Sequence, residues 1–186
     1  GGFFPWHGLD TLVEAMALVR RDYPTAVLLL VGDGQTKPAL EGLVRQRGLE
    51  DAVSFVGRVE FDEVPWWIGA SDLCVVLHRP VRFYPGDSMK LWEYMACARP
   101  VVATAGEGYG DLVETLGAGV SVQADDALAL ANGLRRLIQN PAAANKMGQS
   151  GRKAVLDAHT WEARTVELER VFGILPVEPL RDRVCA

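Results

Sequence analysis

The stretch Ala26-Val27-Leu28-Leu29-Leu30-Val31, followed at once by Gly32-Asp33-Gly34, decides the fold class of this chain. The run is continuous and apolar, is too short for a typical helix, and ends on turn residues. A strand that is apolar at every position is buried on both faces. This is typical of a parallel sheet that is covered by helices.

Outward from this strand, helical and strand patterns alternate. An amphipathic helix is predicted before it, over 8–21, and Tyr23-Pro24 ends that pattern. The later predicted elements are helix 36–47, strand 53–56, helix 62–69, strand 73–77, helix 89–97, strand 100–104, helix 110–116, strand 120–122 and three helical segments through 172. Such alternation predicts the α/β class, with a doubly wound, Rossmann-like parallel sheet flanked by helices. We expect one domain over 1–175 and an extended tail over 176–186.

The composition excludes several functional classes. The 186 residues are 49% hydrophobic and carry a net charge of −5, with basic residues scattered, so nucleic acid is not expected as the main partner. Three cysteines without metal-ligand spacing predict a reducing, cytoplasmic setting and no structural zinc. No apolar run approaches the ~20 residues of a membrane-spanning helix. Because the chain opens on what resembles the loop after a strand, we also expect it to be a piece of a longer protein.

In a doubly wound sheet, ligands bind beyond the carboxyl ends of the strands. The loops to inspect therefore follow Val31, Val56, Leu77 and Thr104. Gly32 and Gly34 either bring bare backbone close to a ligand or form a tight turn. Neither the dinucleotide glycine fingerprint nor the phosphate-loop motif occurs, which argues against redox cofactors and ordinary phosphate-loop ATPases.

The segment 84–96 is the most informative. Pro85-Gly86 and Asp87-Ser88 predict a turn that caps the next helix, which leaves free amide donors for a diphosphate. Glu93, about one turn into that helix, could accept hydrogen bonds from a ribose diol. The alternative is an exposed Glu that stabilises the helix dipole.

Other candidates are less specific. The loop Gly106-Glu107-Gly108-Tyr109-Gly110 offers a second set of backbone donors or is a surface turn. His7 could pair with phosphate as imidazolium, and His78 lies where a strand opens toward the expected cleft. The pair Trp66-Trp67, if exposed, could meet another domain.

Taken in order, these segments resemble the carboxyl-terminal, donor-binding domain of the retaining glycosyltransferases of the two-domain GT-B fold, the glycosyl transferases group 1 family. The matching motifs run nearly end to end, and the block from Lys90 to Thr104 is the most specific. They are Trp6-His7-Gly8-Leu9-Asp10, Val31-Gly32-Asp33-Gly34 with Leu40-Glu41, Phe55-Val56-Gly57, Ala70-Ser71-Asp72, Lys90-Leu91-Trp92-Glu93-Tyr94-Met95-Ala96, Pro100-Val101-Val102-Ala103-Thr104 and His159-Thr160-Trp161.

The resemblance implies a domain that binds a nucleotide-diphosphate sugar, while an amino-terminal domain absent from this sequence holds the acceptor glycan or lipid. Glu93 would match the second Glu of the family's Glu-x7-Glu motif and bind ribose. The backbone of Gly57-Arg58-Val59 would meet the base, and Gly86, Asp87, Ser88 and Met89 would present amides to phosphates and sugar. No cofactor or metal is implied, because positive side chains and helix dipoles stabilise the departing diphosphate.

The sequence departs from the family pattern at four positions. Pro85 replaces the first Glu of the motif, His7 a common phosphate-binding Lys, and Gly2 a common Arg. Ala98 replaces the usual Gly before the strand at Pro100, which predicts strain of about 1 kcal/mol in a left-handed helix end. Lys90 and Arg58 are then the nearest compensating cations.

The resemblance favours sugar transfer with retention, in glycan, glycolipid or other polysaccharide synthesis, by a parent protein in the cytoplasm that could be peripheral on the inner membrane face. The alternatives are a non-catalytic nucleotide-sugar-binding module and a GT-B sugar-nucleotide epimerase. The sequence does not identify the base, the sugar, the acceptor or the oligomeric state.

Overall fold

The structure, a computed structural model, describes residues 1–79, 88–106 and 109–173. Helices and strands alternate as predicted, and two short 3-10 turns lie at Pro5–His7 and Phe61–Glu63. The elements are α1 (Leu9–Val19), β1 (Leu28–Val31), α2 (Lys37–Arg47), β2 (Val53–Gly57), α3 (Val64–Gly69), β3 (Cys74–Val76), α4 (Met89–Ala96), β4 (Val101–Thr104), α5 (Tyr109–Thr115), β5 (Gly119–Val122), α6 (Ala127–Gln139), α7 (Pro141–Ala158) and α8 (Trp161–Phe172).

Every pairing between these strands is parallel, and the described strands form two hydrogen-bonded groups. β1 pairs with β2, and β4 lies between β3 and β5. The first residues of the chain link the two groups at the carboxyl edge. The Phe3 amide donates to the Asp33 carbonyl beyond β1 (2.9 Å), and the Arg79 amide beyond β3 donates to the Trp6 carbonyl (2.8 Å).

The two faces of β4 show that the sheet is doubly wound. Val102 packs into a core formed largely by α1, α2 and α6, whereas Val101 and Ala103 pack into a second core with α4, α5 and α7. All three side chains are fully buried. Because successive strand residues point to opposite faces, an apolar run such as Val101–Ala103 requires helices on both sides. The predicted α/β fold is confirmed.

Helix α4 ends as the family pattern predicted. Ala98 has a φ of 55°, in the left-handed region, and its amide donates to the Met95 carbonyl (2.9 Å). The next amide, of Arg99, donates to the Tyr94 carbonyl (3.0 Å), which completes a Schellman motif. An alanine therefore occupies the position that usually holds glycine.

The outer surface carries exposed aromatic and aliphatic side chains. Trp66 is 79% exposed while Trp67 is half-buried, so the predicted exposed pair is exposed at one member only. Helix α8 contains no buried residue. Among the described helices, none is both long and apolar enough to cross a membrane.

Candidate functional site

The site lies at the carboxyl edge of the parallel strands, where the segment Gly1–Gly8 meets the loops after β1 and β3 and the start of α4. Several hydrogen bonds fix this segment. The Thr36 amide and hydroxyl both donate to the Phe3 carbonyl, at 3.1 and 3.0 Å. The segment is thus held against the edge where ligands of doubly wound sheets bind.

Helix α4 supplies the predicted lysine and glutamate. Ser88 is its N-cap residue and is buried, and its side chain makes no capping hydrogen bond to the helix. Lys90 is half-buried; burial lowers its pKa, and the nearby Glu93 carboxylate opposes that shift. Met89 is half-exposed. Lys90 and Glu93 therefore lie close enough to interact electrostatically, one turn apart on the same helix.

Lys90 also contacts the first residues of the chain. A Cβ atom added at Gly1 would lie 2.6 Å from Lys90 Cε, so the lysine stem packs against that backbone. The charge of Lys90 lowers the pKa of His7 as well, after the larger effect of burial. The structure thus brings His7, which is distant in the sequence, close to Lys90, and Lys90 lies one turn from Glu93 on α4.

His7 is held in one orientation. Its Nδ1 donates to the Gly2 carbonyl at 2.7 Å, because a carbonyl oxygen can only accept. Nε2 is then the nitrogen that gains or loses a proton. The bond to Gly2 raises the pKa of His7, but burial and Lys90 outweigh it, and the pKa lies below its usual value.

His78 packs edge-to-face against His7 in the same cluster. It is 3% exposed, its amide donates to Thr104 Oγ1 at the end of β4 (3.0 Å), and its ring centroid is 5.4 Å from that of His7 and 5.0 Å from that of Tyr109. Burial, with smaller contributions from the charges of His7 and Lys90, lowers its pKa to about 4. At neutral pH His78 is therefore an uncharged imidazole.

The predicted glycines pack closely against the chain itself. A Cβ at Gly34 would lie 2.5 Å from the Phe3 nitrogen, and a Cβ at Gly32 would lie 1.8 Å from the Gly1 carbonyl oxygen. Gly32 has a φ of 129° and its amide donates to the Gly57 carbonyl (2.7 Å). A larger residue at either position would clash with the backbone of Gly1 or Phe3, which is a structural reason for glycine at both positions. Their contact with nucleotide stays a prediction.

The remaining predicted residues lie apart from the cluster or outside the described residues. Gly57, with a φ of 85°, is the last residue of β2. Arg58 and Val59 follow it at the same edge, and Arg58 is exposed. Gly86, Asp87, Pro85, Glu107 and Gly108 lie outside the described residues, as does the predicted tail 176–186. In the described part of the chain, no group of three or more His, Cys, Asp or Glu side chains is arranged to hold a metal ion.

Sequence reasoning missed Arg79. Its guanidinium donates to Asp10 Oδ2 (2.7 Å), to Asp125 Oδ1 (2.5 Å) and to the Pro5 carbonyl (2.9 Å). The hydrogen bond to Asp10 is the main cause that raises the pKa of Arg79. Burial alone would raise the pKa of Asp10, but the bond and charge of Arg79 outweigh it and hold the pKa below its usual value. No local sequence pattern signals this network, because its members come from three separate segments.

The cluster combines features that suit a nucleoside diphosphate. Lys90 lies in the first turn of α4, close enough to His7 for its charge to lower the pKa of that imidazole. Backbone amides at the start of a helix favour anions. One carboxylate on the same helix can accept hydrogen bonds from hydroxyl groups.

Comparisons with known proteins agree with this geometry. The family model described as Glycosyl transferases group 1 matches residues 1–140. A Corynebacterium glutamicum protein, "GDP-mannose-dependent monoacylated alpha-(1-6)-phosphatidylinositol monomannoside mannosyltransferase", is 30% identical over 94% of this chain and 45% of its own length. The chain thus spans about half the length of such curated relatives.

Solved structures show the same fold. Sucrose-phosphate synthase from Thermosynechococcus elongatus is 33% identical, with a TM-score of 0.81, over 94% of this chain and 43% of that one. Anabaena HepE in complex with UDP is 23% identical, with a TM-score of 0.81, over 94% of this chain and 48% of that one. The fold is that of GT-B glycosyltransferases. By the match to its family model and to these relatives, the chain belongs to the glycosyl transferases group 1 family.

Proposed function

We propose that this chain is the carboxyl-terminal, donor-binding domain of a glycosyltransferase that uses a nucleotide-diphosphate sugar. The observation that carries the proposal is the cluster of His7, Lys90 and Glu93 at the start of α4, in a chain of this family. The named relatives support it, since one is described as GDP-mannose-dependent and another was solved with UDP.

In this proposal Glu93 binds the ribose. A carboxylate on the first turns of a helix can accept two hydrogen bonds from vicinal hydroxyl groups, and charge-assisted bonds of this kind are stronger than neutral ones. Lys90 lies next to Glu93 and contacts the backbone of Gly1, and in this proposal its ammonium group binds the diphosphate.

The diphosphate is held by side-chain cations and backbone amides, without a divalent metal. Lys90, His7 in its protonated form, and the amides at the start of α4 supply the positive charge, with Arg58 as a further candidate from the loop after β2. In this proposal the amides come from Ser88, the N-cap residue, and from Met89, the first residue of α4. Calorimetric titration with UDP or GDP should give the same affinity with and without EDTA, and a large loss on chelation would contradict this part of the proposal.

The acceptor glycan or lipid is bound by a further domain of a longer protein, and transfer proceeds with retention in glycan or glycolipid synthesis. Transfer needs the acceptor aligned with the donor and shielded from water. We therefore expect the 186-residue chain to fold and bind nucleotide but to transfer no sugar. Robust glycosylation of an acceptor by this chain alone would contradict that expectation.

A thermal-shift panel with UDP, GDP, ADP and their sugars tests the function itself. A ligand that binds only the folded state stabilises it by mass action and so raises the melting temperature. At a ligand concentration of about a hundred times Kd, the free energy of unfolding rises by about 2.7 kcal/mol. We expect one base to stabilise the chain more than the others. No shift with any of these nucleotides, confirmed by calorimetry, would overturn the proposal.

A second candidate, a non-catalytic nucleotide-sugar-binding module, is favoured by one observation. Burial and the charge of Lys90 hold the pKa of His7 below its usual value, so His7 is mostly uncharged at neutral pH, at a position where the family resemblance implies a lysine. Binding could then persist while stabilisation of the departing diphosphate is weak. If the longer protein that contains this chain hydrolysed a nucleotide-diphosphate sugar, or transferred its sugar to an acceptor, this candidate would be excluded.

A further inference from the structure

Arg79 connects three segments that are distant in the sequence. It follows β3 at the carboxyl edge, and its guanidinium reaches Asp10 at the start of α1, Asp125 in the turn between β5 and α6, and the carbonyl of Pro5. Its own amide donates to the Trp6 carbonyl at 2.8 Å. Side chain and backbone of one residue therefore fix the Pro5–His7 turn to the end of β3.

The charge of Arg79 is compensated within this network. Two carboxylates contact the guanidinium, at 2.7 and 2.5 Å, and the side chain is 30% exposed. A cation paired in this way is poorly suited to bind an anionic ligand. Its planar fork of donors is suited instead to hold several oxygens in fixed directions, which an ammonium group does less well.

The turn at Asp125 is shaped for this contact. Asp125 has a φ of 55°, a left-handed conformation that only a few non-glycine residues adopt. In this conformation its carboxylate accepts from Arg79, and also from Thr11 Oγ1 on α1. The network thus ties the β5–α6 turn, α1 and the Pro5–His7 turn to one guanidinium.

The segment fixed by this network carries His7. Its ring lies 5.4 Å from that of His78, at 83°, and Nδ1 donates to Gly2 within the same segment. We propose that Arg79, together with Asp10 and Asp125, is a positioning residue that holds the Pro5–His7 turn so that His7 Nε2 is presented to the diphosphate. The ligand in this statement rests on the proposed function, whereas the positioning of His7 does not.

Two other roles for Arg79 predict different results. If Arg79 bound phosphate directly, the Arg79→Lys variant would retain much of the affinity for nucleotide, because lysine keeps the positive charge. Removal of the negative charges of Asp10 and Asp125 would then strengthen the binding of an anion, since like charges repel it. If the network served stability alone, its loss would lower the melting temperature without changing His7.

The test uses Asp10→Asn, Asp125→Asn, the double variant and Arg79→Lys, with UDP and GDP as probes in calorimetry. In each protein without ligand, the tautomer of His7 is read from the ring ¹⁵N signals. The matched control is the double variant Glu14→Gln and Arg47→Met. It removes a bidentate ion pair between α1 and α2 that lies outside the network.

We expect the double Asp variant and Arg79→Lys to weaken nucleotide binding by about tenfold and to shift His7 away from the Nδ1–H tautomer, while the control changes neither. Stronger or unchanged binding together with an unchanged His7 signal would overturn the proposal. If the double variant does not fold, Asp10→Asn alone decides by the same two readouts. If the wild-type chain binds none of UDP, GDP and ADP, the proposed function fails. The His7 signal still tests the positioning in that case.

Discussion

The carbonyl oxygen of Ala98 lies directly against the Cα of Gly148, because a Cβ atom built on Gly148 would be only 2.1 Å from that oxygen. Gly148 is buried in the middle of α7, which packs across the end of α4. The left-handed turn at Ala98 and the glycine of α7 therefore fit together, and they set the distance between α7 and the helix that carries Lys90 and Glu93.

We expect Gly148→Ala to destabilise the chain by about 1 to 3 kcal/mol, the usual range for overpacking a buried contact. Gly42→Ala is the matched control, because Gly42 also lies inside a helix and nothing approaches its added Cβ within 4 Å. That substitution should stabilise the chain by about 0.5 to 1 kcal/mol. Urea unfolding of both variants measures the difference, and equal effects of the same sign would contradict the packing.

Ala98→Gly should stabilise the chain by about 1 kcal/mol, since glycine adopts a φ of 55° without the steric cost that alanine has there. The same exchange two residues earlier, Ala96→Gly, falls on the last residue of α4 and should instead destabilise the chain, by up to about 1 kcal/mol. The midpoints of chemical unfolding decide the matter. A destabilised Ala98→Gly protein would show that the left-handed conformation is not a source of strain.

The elements that sequence patterns predict well are those fixed by local periodicity. The apolar run at β4 indicates a strand covered on both faces, and the structure confirms it, because burial on two faces requires an uninterrupted apolar run. The run at β1 does form a strand, but the prediction of burial on both faces is wrong there, since of the residues of β1 only Leu28 and Leu30 pack into a described core, and Val27 just before it is exposed. The left-handed end of α4 is predicted by the family resemblance and not by periodicity, and the structure confirms it. Glycine is usual there, so an alanine in its place marks a left-handed residue under strain.

The candidate site could be predicted only in part. Lys90 and Glu93 lie on one helix, so their spacing alone predicts proximity. Arg79 could not be found in this way, because its partners Asp10 and Asp125 lie 69 and 46 residues away along the chain. The burial of His78 likewise depends on tertiary packing, since the residue lies where the end of β4 meets α5 and the Pro5–His7 turn.

His78 should make the folded state sensitive to acid. Its pKa is lowered to about 4 in the folded chain against an ordinary value of 6.5, so between these values the unfolded chain binds a proton that the folded chain does not. The stability contributed by the neutral ring is full above pH 6.5 and is lost as the pH falls toward 4. Urea unfolding of the wild-type chain should show this loss, to which His7 adds in the same direction.

His78→Gln removes the titrating ring and should flatten the dependence of the unfolding free energy on pH between 6.5 and 4. His159→Gln is the control, since His159 stacks on Trp92 at the junction before α8, outside the candidate site. An identical slope in wild type and His78→Gln would show that burial does not suppress protonation of His78.

Nucleotide binding should depend on pH through His7. If its imidazolium binds phosphate, affinity for UDP or GDP is highest below the pKa of His7 and declines as the pH rises through that value, because the positive charge is lost. His7→Lys should bind more tightly at pH 8 than the wild type and lose this dependence. Calorimetry from pH 5.5 to 8 measures both, and a flat wild-type profile would remove His7 from the diphosphate site.

Glu93→Gln separates the two roles that a glutamate at this position can have. It keeps the shape of the side chain and removes its charge. A carboxylate that accepts hydrogen bonds from ribose hydroxyls contributes about 1.5 to 3 kcal/mol per charged bond, whereas a residue that only balances the helix dipole contributes about 0.3 to 1 kcal/mol to stability. The first role predicts a loss of nucleotide affinity of about tenfold or more, with a melting temperature that barely changes.

The second role predicts unchanged affinity and a small loss of stability. The matched control is Glu167→Gln, which changes a glutamate on the exposed helix α8, away from the site. We expect this control to leave nucleotide affinity unchanged. The charge of Lys90 gives a further check. Because Glu93 raises the pKa of Lys90 against the effect of burial, its neutralisation should lower that pKa further. Nucleotide affinity equal to that of the wild type in Glu93→Gln would remove the ribose contact, and with it the main residue-level support for donor binding at α4.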